Sequence, residues 1–313
     1  MANNPVINLA WCTDANYLEY VATSVVSVLL NNPQLNLTFY VFVYDVSDAD
    51  IAKLKTTSER IHVQKIEKED IEKYDENLAI KHLNRSIYMR LAVPRLLAGK
   101  VEKFIYLDAD TLCFDDISAI NDIDISEVIC AVGHDSLNIH DDKNVRRLGL
   151  KQGHYFNSGF LYINVANWLN HDIENKANAI LFERGQTLPY PDQDALNIVM
   201  DGRVKFIDPR WNYLFTWFDD EQKENFFYHK NTTPRIMHFT GGRKPWSLEH
   251  TGLAQQLYIF YQHFTPWRHT PLRSYASRMR PTDFRVYARQ NAKKGQYLTS
   301  FKWYVKYLTS KFK

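Results

Sequence analysis

Asp108 and Asp110 stand one residue apart, directly after the apolar run Lys103–Leu107. In extended backbone, residues two apart point the same way, so both carboxylates face one side. Two such charges repel unless a cation sits between them, and oxygen ligands suit a hard divalent ion such as Mg2+ or Mn2+. His238 lies near the end of a later strand-like run, 235–239, and an imidazole in the ligand set shifts the preference toward Mn2+. Shortly after it comes Gly241-Gly242-Arg243-Lys244-Pro245-Trp246. Two glycines there permit close backbone approach, Lys244 offers a mobile charge for phosphate, Pro245 stiffens the loop and Trp246 can anchor it. A cation and a diphosphate in one shared site is the chemistry these residues suggest.

Other chemistries are less well supported. Asp108-Ala109-Asp110-Thr111 fits the Asp-x-Asp-x-Thr opening of haloacid-dehalogenase-type phosphotransferases, whose first aspartate attacks phosphate. That motif usually opens its fold, whereas three strand-like runs precede it here, and its downstream motifs are not evident. The chain has no Gly-x-Gly-x-x-Gly, no Walker-type loop and no Cys/His cluster with zinc spacing. Cys12, Cys113 and Cys130 sit in apolar runs and read as buried, reduced thiols of a cytosolic protein.

The elements that must position these residues alternate between strand and helix, the pattern of an α/β fold. Strands are expected at 6–13, 37–45, 62–66, Lys103–Leu107, 128–132, 156–165 and 235–239. Helices are expected at 17–30, from a capped start at Ser47, at 87–97 ending by Gly99, at 168–182 ending by Gly185, and from Pro191 to Met200. Asp14 and Asn16, then Asp108 and Asp110, then His238 all follow strand ends, where open α/β sheets bind ligands.

With 45% hydrophobic and 24% charged residues, the 313-residue chain has an ordinary globular composition. No run of 18 apolar residues suggests a membrane span, and the N-terminus lacks the marks of a secretory signal. Charge is split unevenly. From Arg268 onward there are 12 Lys and Arg against one acidic residue, Asp283, so this tail carries about +11 and the rest about −9. A boundary near 265–271 therefore separates a catalytic domain, 1–265, from a basic extension, 266–313. In 297–312, Phe301, Tyr304, Val305 and Leu308 share a helical face, with Lys302, Lys306 and Lys313 largely elsewhere. That pattern reads as an anchor on an anionic membrane surface, and no nucleic-acid recognition motif accompanies it.

Taken in order, the motifs resemble those of glycosyltransferase family 8, in particular its bacterial galactosyl- and glucosyltransferases of lipopolysaccharide synthesis. They are Thr13-Asp14-Ala15-Asn16-Tyr17, Tyr88-Met89-Arg90-Leu91, Tyr106-Leu107-Asp108-Ala109-Asp110, Tyr155-Phe156-Asn157-Ser158-Gly159, Asp192-Gln193-Asp194, and His238 with Gly241, Lys244, Pro245 and Trp246. Cys12 and Ser158 stand where the family commonly has smaller residues.

The resemblance implies a GT-A-type fold, a Rossmann-like mixed sheet flanked by helices, with a basic helical C-terminal extension. It implies retaining transfer of galactose or glucose from a UDP-hexose to a lipopolysaccharide core. A capsule, a protein glycan or another acceptor is the alternative. Asp14 and Asn16 would bind uridine and Tyr17 would stack on uracil. Asp108, Asp110 and His238 would hold Mn2+, or Mg2+, with Ala109 between them at the donor. Arg90, Asn157, Ser158, Asp192 and Gln193 would contact the transferred sugar, and Gly241 and Lys244 the diphosphate. His82 and Asp135 are candidates for the acceptor side. Gln193 is a weak nucleophile and Asp192 an abler one. Front-face attack by the acceptor hydroxyl is preferred, at the cytoplasmic face of the bacterial inner membrane.

Overall fold

The computed structural model describes residues 5–72, 85–136, 143–219, 221–226, 233–250 and 252–311. Seven strands form the main sheet: β1 (Ile7–Thr13), β2 (Leu37–Val43), β3 (Ile61–Lys65), β4 (Lys103–Leu107), β6 (Cys130–His134), β7 (Phe156–Asn164) and β8 (Val204–Phe206). Their order is β3-β2-β1-β4-β7-β6-β8. All run parallel except β7, which is antiparallel to both β4 and β6. The start of β7 therefore lies beside the carboxyl end of β4, and residues 157–158 enter the region where the other strands finish. A smaller sheet joins β5 (Thr111–Cys113), β9 (Tyr213–Leu214) and β10 (Ile236–His238) in the order β5-β10-β9.

The strand sequences are apolar without alternation because both faces of the main sheet are covered. Ala10, Cys12, Phe104 and Tyr106 belong to one core, while Leu9, Trp11, Ile105 and Leu107 belong to the other. The first core is closed by α4 (Val93–Leu97), α6 (Val165–Asn170), α7 (Ile173–Arg184) and α8 (Pro191–Val199). α1 (Leu18–Asn31) is buried along almost its whole length. Its Ser24 Oγ accepts from Trp11 Nε1 at 3.2 Å, and its Ser27 Oγ accepts from the Cys113 amide at 2.8 Å, so it is fastened to both sheets. A third core under the small sheet joins α1 to α10 (Leu253–Gln262) through Tyr20, Phe239, Trp246 and Tyr258. The remaining helices are α2 (Asp48–Lys55), α3 (Lys68–Glu72), α5 (Lys143–Leu148), α9 (Gln222–Asn225), α11 (Pro281–Lys293) and α12 (Tyr297–Ser310). Ser47 caps α2 as expected, its Oγ accepting from the Asp50 amide at 3.1 Å. The three cysteines are buried and free.

Two expected helices are each broken. In place of 87–97 there is a 3-10 segment, Arg85–Leu91, followed by α4. Pro94 has no N–H to give the Arg90 carbonyl, so it is accommodated only in the first turn of a new helix. In place of 168–182 the chain forms α6 and α7, with Asp172 between them at φ 55°. Aspartate tolerates that left-handed conformation better than most residues, and it ends one helix and redirects the next. Strand β2 stops at Val43, two residues before the expected end, and Asp45 also takes a positive φ of 54°. The short strands β5, β8 and β9 were not expected. Among the described residues no helix is long and apolar enough to cross a membrane.

Candidate functional site

Strand register assembles the three candidate metal ligands. Past Asp108 the chain turns at once into β5, with Thr111 Oγ1 donating to the Asp108 carbonyl at 2.8 Å. The expected extended backbone is thus replaced by a turn, because β4 and β5 belong to different sheets and the chain must cross between them. β10 pairs antiparallel with β5, His238 opposite Thr111, and the Phe239 amide donates to the Asp110 carbonyl at 2.9 Å. His238 Nε2 lies 3.0 Å from Asp110 Oδ1 and 3.9 Å from Asp108 Oδ2. Ligand atoms about 2.1 Å from one ion stand no more than about 4.2 Å apart, so these gaps fit a Mn2+- or Mg2+-sized cation. Two carboxylates and an imidazole are a donor set for such an ion.

Each ligand is aimed by a partner on its other atom. Tyr106 Oη donates to Asp108 Oδ1 at 3.0 Å, and Arg90 Nη2 lies 2.8 Å from the same oxygen, leaving Oδ2 toward His238. On the histidine, the hydrogen-bond network fixes the tautomer. The Gly159 amide can only donate, and it meets Asn157 Oδ1 at 3.0 Å. That oxygen also accepts from Asn212 Nδ2 at 3.1 Å, which turns Asn212 Oδ1 toward His238 Nδ1 at 3.2 Å. Nδ1 therefore carries a proton, and Nε2 is the ring atom turned toward the carboxylates, where it would ligate a cation. Gly159 must be glycine here, since a Cβ would stand 2.1 Å from His238 Cε1 and 2.8 Å from Asp108 Oδ2.

Lys244 Nζ pairs with Asp110 Oδ2 and donates to the Phe239 carbonyl at 2.7 Å. Burial pushes the Asp110 carboxyl up, but Lys244 and His238 outweigh it and hold the group well below the usual carboxylate range. Gly241 takes φ 76°, the left-handed backbone that lets this loop leave β10. Its end is fixed by Trp246, which stacks on Tyr20 at 3.8 Å and meets Tyr17 edge-on at 6.2 Å. Asp14 Oδ1 accepts from the Asn16 and Tyr17 amides at 2.9 and 3.2 Å, which closes the turn into α1. Asp14, Asn16, Tyr17 and the 241–246 loop thus border one another, with Tyr17 partly exposed.

Opposite the ligands, α8 meets the start of β7. Gln193 Oε1 accepts from the Ser158 amide at 3.0 Å and from Asn157 Nδ2 at 3.1 Å. Its Nε2 donates to Tyr155 Oη at 3.0 Å and to Asp135 Oδ1 at 3.3 Å. Tyr155 Oη donates onward to Asp194 Oδ1 at 2.6 Å, and Arg147 grips both Asp194 oxygens at 2.9 and 2.8 Å. Burial pushes the Asp192 carboxyl up, opposed by Arg90, whose Nε is 3.3 Å from Asp192 Oδ2. The Arg90 guanidinium also donates to the Ser158 carbonyl at 2.9 Å. Arg90, expected at the sugar, is engaged with protein groups and ties Asp108, Asp192 and Ser158 into one unit.

Burial raises the Cys12 thiol far above its ordinary value, which rules it out as a nucleophile. Ala109 is half-buried against the second core, between the two carboxylates. Asp135 stands at the Gln193 end of the site, and His82 lies outside the described residues. Tyr106, Tyr155 and Gly159 stand in the motifs quoted from the sequence but carry no role of their own there, and Asn212 is not singled out. A glycine inside an apolar strand run is a usable sign of close approach. Asn212 carries no local sign at all.

A family model described as Glycosyl transferase family 8 matches residues 8–249, and one described as Glycosyl transferase family 8 C-terminal matches residues 254–311. The chain is 29% identical to the lipopolysaccharide 1,2-glucosyltransferase of Escherichia coli (strain K12), over 84% of this chain and 79% of that protein. It is 28% identical to the lipopolysaccharide 1,3-galactosyltransferase of Salmonella typhimurium (strain LT2), over 85% of this chain and 80% of that protein. The galactosyltransferase LgtC, solved with donor and acceptor sugar analogues, superposes with a TM-score of 0.72 at 23% identity. That overlap covers 84% of this chain and 99% of LgtC, and it shows the GT-A fold. The phosphotransferase alternative falls with these matches, and the activity is glycosyl transfer. The chain belongs to glycosyl transferase family 8.

Proposed function

We propose that the protein transfers glucose or galactose from a UDP-hexose to a lipopolysaccharide core, with retention at the anomeric carbon. Asp108, Asp110 and His238 would hold Mn2+ for this reaction. The observation that carries the reading is the convergence of these three side chains with Lys244 on Asp110. The lipopolysaccharide acceptor rests on the relatives described above, and a basic, partly apolar C-terminus suits a membrane-borne acceptor at the cytoplasmic face.

When bound, the cation supplies Lewis-acid stabilisation of the charge that builds on the departing diphosphate. The protein's own groups do the rest. Asp14, Asn16 and Tyr17 border the uridine position, and Lys244 brings its ammonium to the diphosphate. Asn157, Ser158, Asp192 and Gln193 line the sugar, and Asp135 faces the acceptor. Gln193 Oε1 is taken up by two N–H donors, and Asp192 is ion-paired with Arg90, so neither is primed as a nucleophile. Front-face attack by the acceptor hydroxyl, with its proton passing to the departing phosphate oxygen, is the pathway this arrangement favours.

Release of UDP from UDP-glucose and UDP-galactose, without acceptor, tests the reading. EDTA is expected to abolish it and Mn2+ to restore it, and Asp110→Ala should lower turnover at least about 100-fold. Full turnover in chelator would overturn the metal role.

A further inference from the structure

Asp283 is the one acidic residue from Arg268 to the end of the sequence, among 12 basic ones, and it is almost completely buried. Its Oδ2 accepts from the Arg280 amide at 2.9 Å, which caps α11. Its Oδ1 lies 3.2 Å from Arg243 Nε, and Arg243 immediately precedes Lys244 in the donor-side loop. A second line runs from α11 to the same loop. His250 Nδ1 lies 2.7 Å from the Lys244 carbonyl, Tyr275 Oη is 3.2 Å from His250 Nε2, and Tyr287 Oη is 3.2 Å from Tyr275 Oη.

The direction of this line follows from its end. A carbonyl only accepts, so His250 Nδ1 donates to it. A neutral ring then accepts at Nε2 from Tyr275, and Tyr275 in turn accepts from Tyr287. Burial pushes the His250 pKa down to about 4, so the ring is neutral near pH 7. The loop is also fastened by backbone: the Leu248 amide donates to the Arg273 carbonyl at 3.0 Å, and the Arg273 amide to the Trp246 carbonyl at 3.3 Å. Behind α11, Trp303 of α12 packs on Phe284 and Tyr287 with ring centroids 6.0 and 5.3 Å away.

We propose that helix α11 of the C-terminal extension positions the donor site: Asp283 on Arg243, with Tyr287, Tyr275 and His250 on the Lys244 carbonyl, sets where the loop presents its phosphate-binding ammonium. The four are positioning residues, since none reaches the reacting atoms. The inference rests on the reading that Lys244 meets the diphosphate of a nucleotide, and it deepens that reading by making the extension responsible for it.

The test compares UDP with uridine, which lacks the diphosphate, by calorimetric titration of the full chain with Mn2+ present. Lys244→Ala should weaken UDP at least about tenfold and leave uridine unchanged. His250→Ala should weaken UDP by about tenfold and Tyr275→Phe by about threefold, again without effect on uridine. His250→Asn places an amide N–H near the lost Nδ1–H and should restore UDP binding to within about threefold. If His250→Ala fails to fold by thermal melting, Tyr275→Phe, which removes a single oxygen, decides. Wild-type UDP affinity in Tyr275→Phe, or UDP and uridine weakened in equal proportion, would overturn the proposal. Unchanged UDP binding by Lys244→Ala would instead overturn the diphosphate reading beneath it, and the proposal with it.

Discussion

Gly159 is the tightest point of the site. A methyl group there would lie 2.1 Å from His238 Cε1, 2.7 Å from Nδ1 and 2.8 Å from Asp108 Oδ2. No rotamer of His238 relieves this while Nδ1 keeps Asn212 and Nε2 keeps the carboxylates. Gly159→Ala should therefore fold, because the strand pairing around it is intact, yet bind Mn2+ about 10- to 100-fold more weakly. Electron paramagnetic resonance titration of Mn2+ measures this directly, and wild-type affinity would show that the three side chains do not form the site. The same residues show what a sequence can reveal of a site. Asp108 and Asp110 are neighbours in the chain and advertise themselves by repulsion. His238 is recognisable because it ends a strand and precedes a glycine-rich loop. Asn212 sets the tautomer of His238 from 26 positions away, through a register between strands that no local pattern encodes.

At the scale of elements, apolar runs located most strands of the main sheet because burial on both faces leaves each strand apolar throughout. The short strands β5 and β9 have two or three residues each and leave no period to read. The broken helices were hidden for a different reason: apolar spacing continues across Pro94 and Asp172, while the backbone does not. One contact between elements has a clear energetic signature. Beyond the end of β4, the edge of β7 opposite β6 has no strand beside Phe156, and Asn197 of α8 takes that place. Asn197 Oδ1 accepts from the Phe156 amide at 2.9 Å, and its Nδ2 donates to the Phe156 carbonyl at 2.9 Å. Asn197→Leu keeps the branched skeleton, removes the amide, and strands both backbone groups in a buried setting. Each costs about 1–3 kcal/mol, so urea unfolding should show a loss of about 2–6 kcal/mol. Since α8 carries Asp192 and Gln193, turnover of UDP-hexose should fall with it. A change below about 0.5 kcal/mol would mean that Asn197 is not the fastening between α8 and β7.

Across the whole molecule, the charge split visible in the sequence becomes a division of labour between α11 and α12. α11 turns Asp283 and Tyr287 inward to the donor-side loop, whereas α12 keeps Trp303 and Tyr307 against its neighbour and exposes Leu298, Phe301, Tyr304, Val305 and Leu308. Leu298 and Phe301 are 83% and 66% exposed, far more than a packed helix would leave, and Lys302 and Lys306 flank them. An apolar face bordered by lysines gains from both acyl-chain contact and anionic headgroups, at about 1 kcal/mol per nearby lysine. Leu298→Asp with Phe301→Asp and Val305→Asp should abolish co-sedimentation with phosphatidylglycerol vesicles while leaving acceptor-free UDP-hexose turnover intact. Binding of the wild type should also weaken as salt rises and be poor on phosphatidylcholine. A truncation at Pro281 cannot test this face alone, because it removes α11 and its contact with Arg243 together with the exposed apolar face of α12. Ending the chain at Gln296 removes α12 alone. If that shorter chain still pellets with anionic vesicles, the docking face lies elsewhere on the protein.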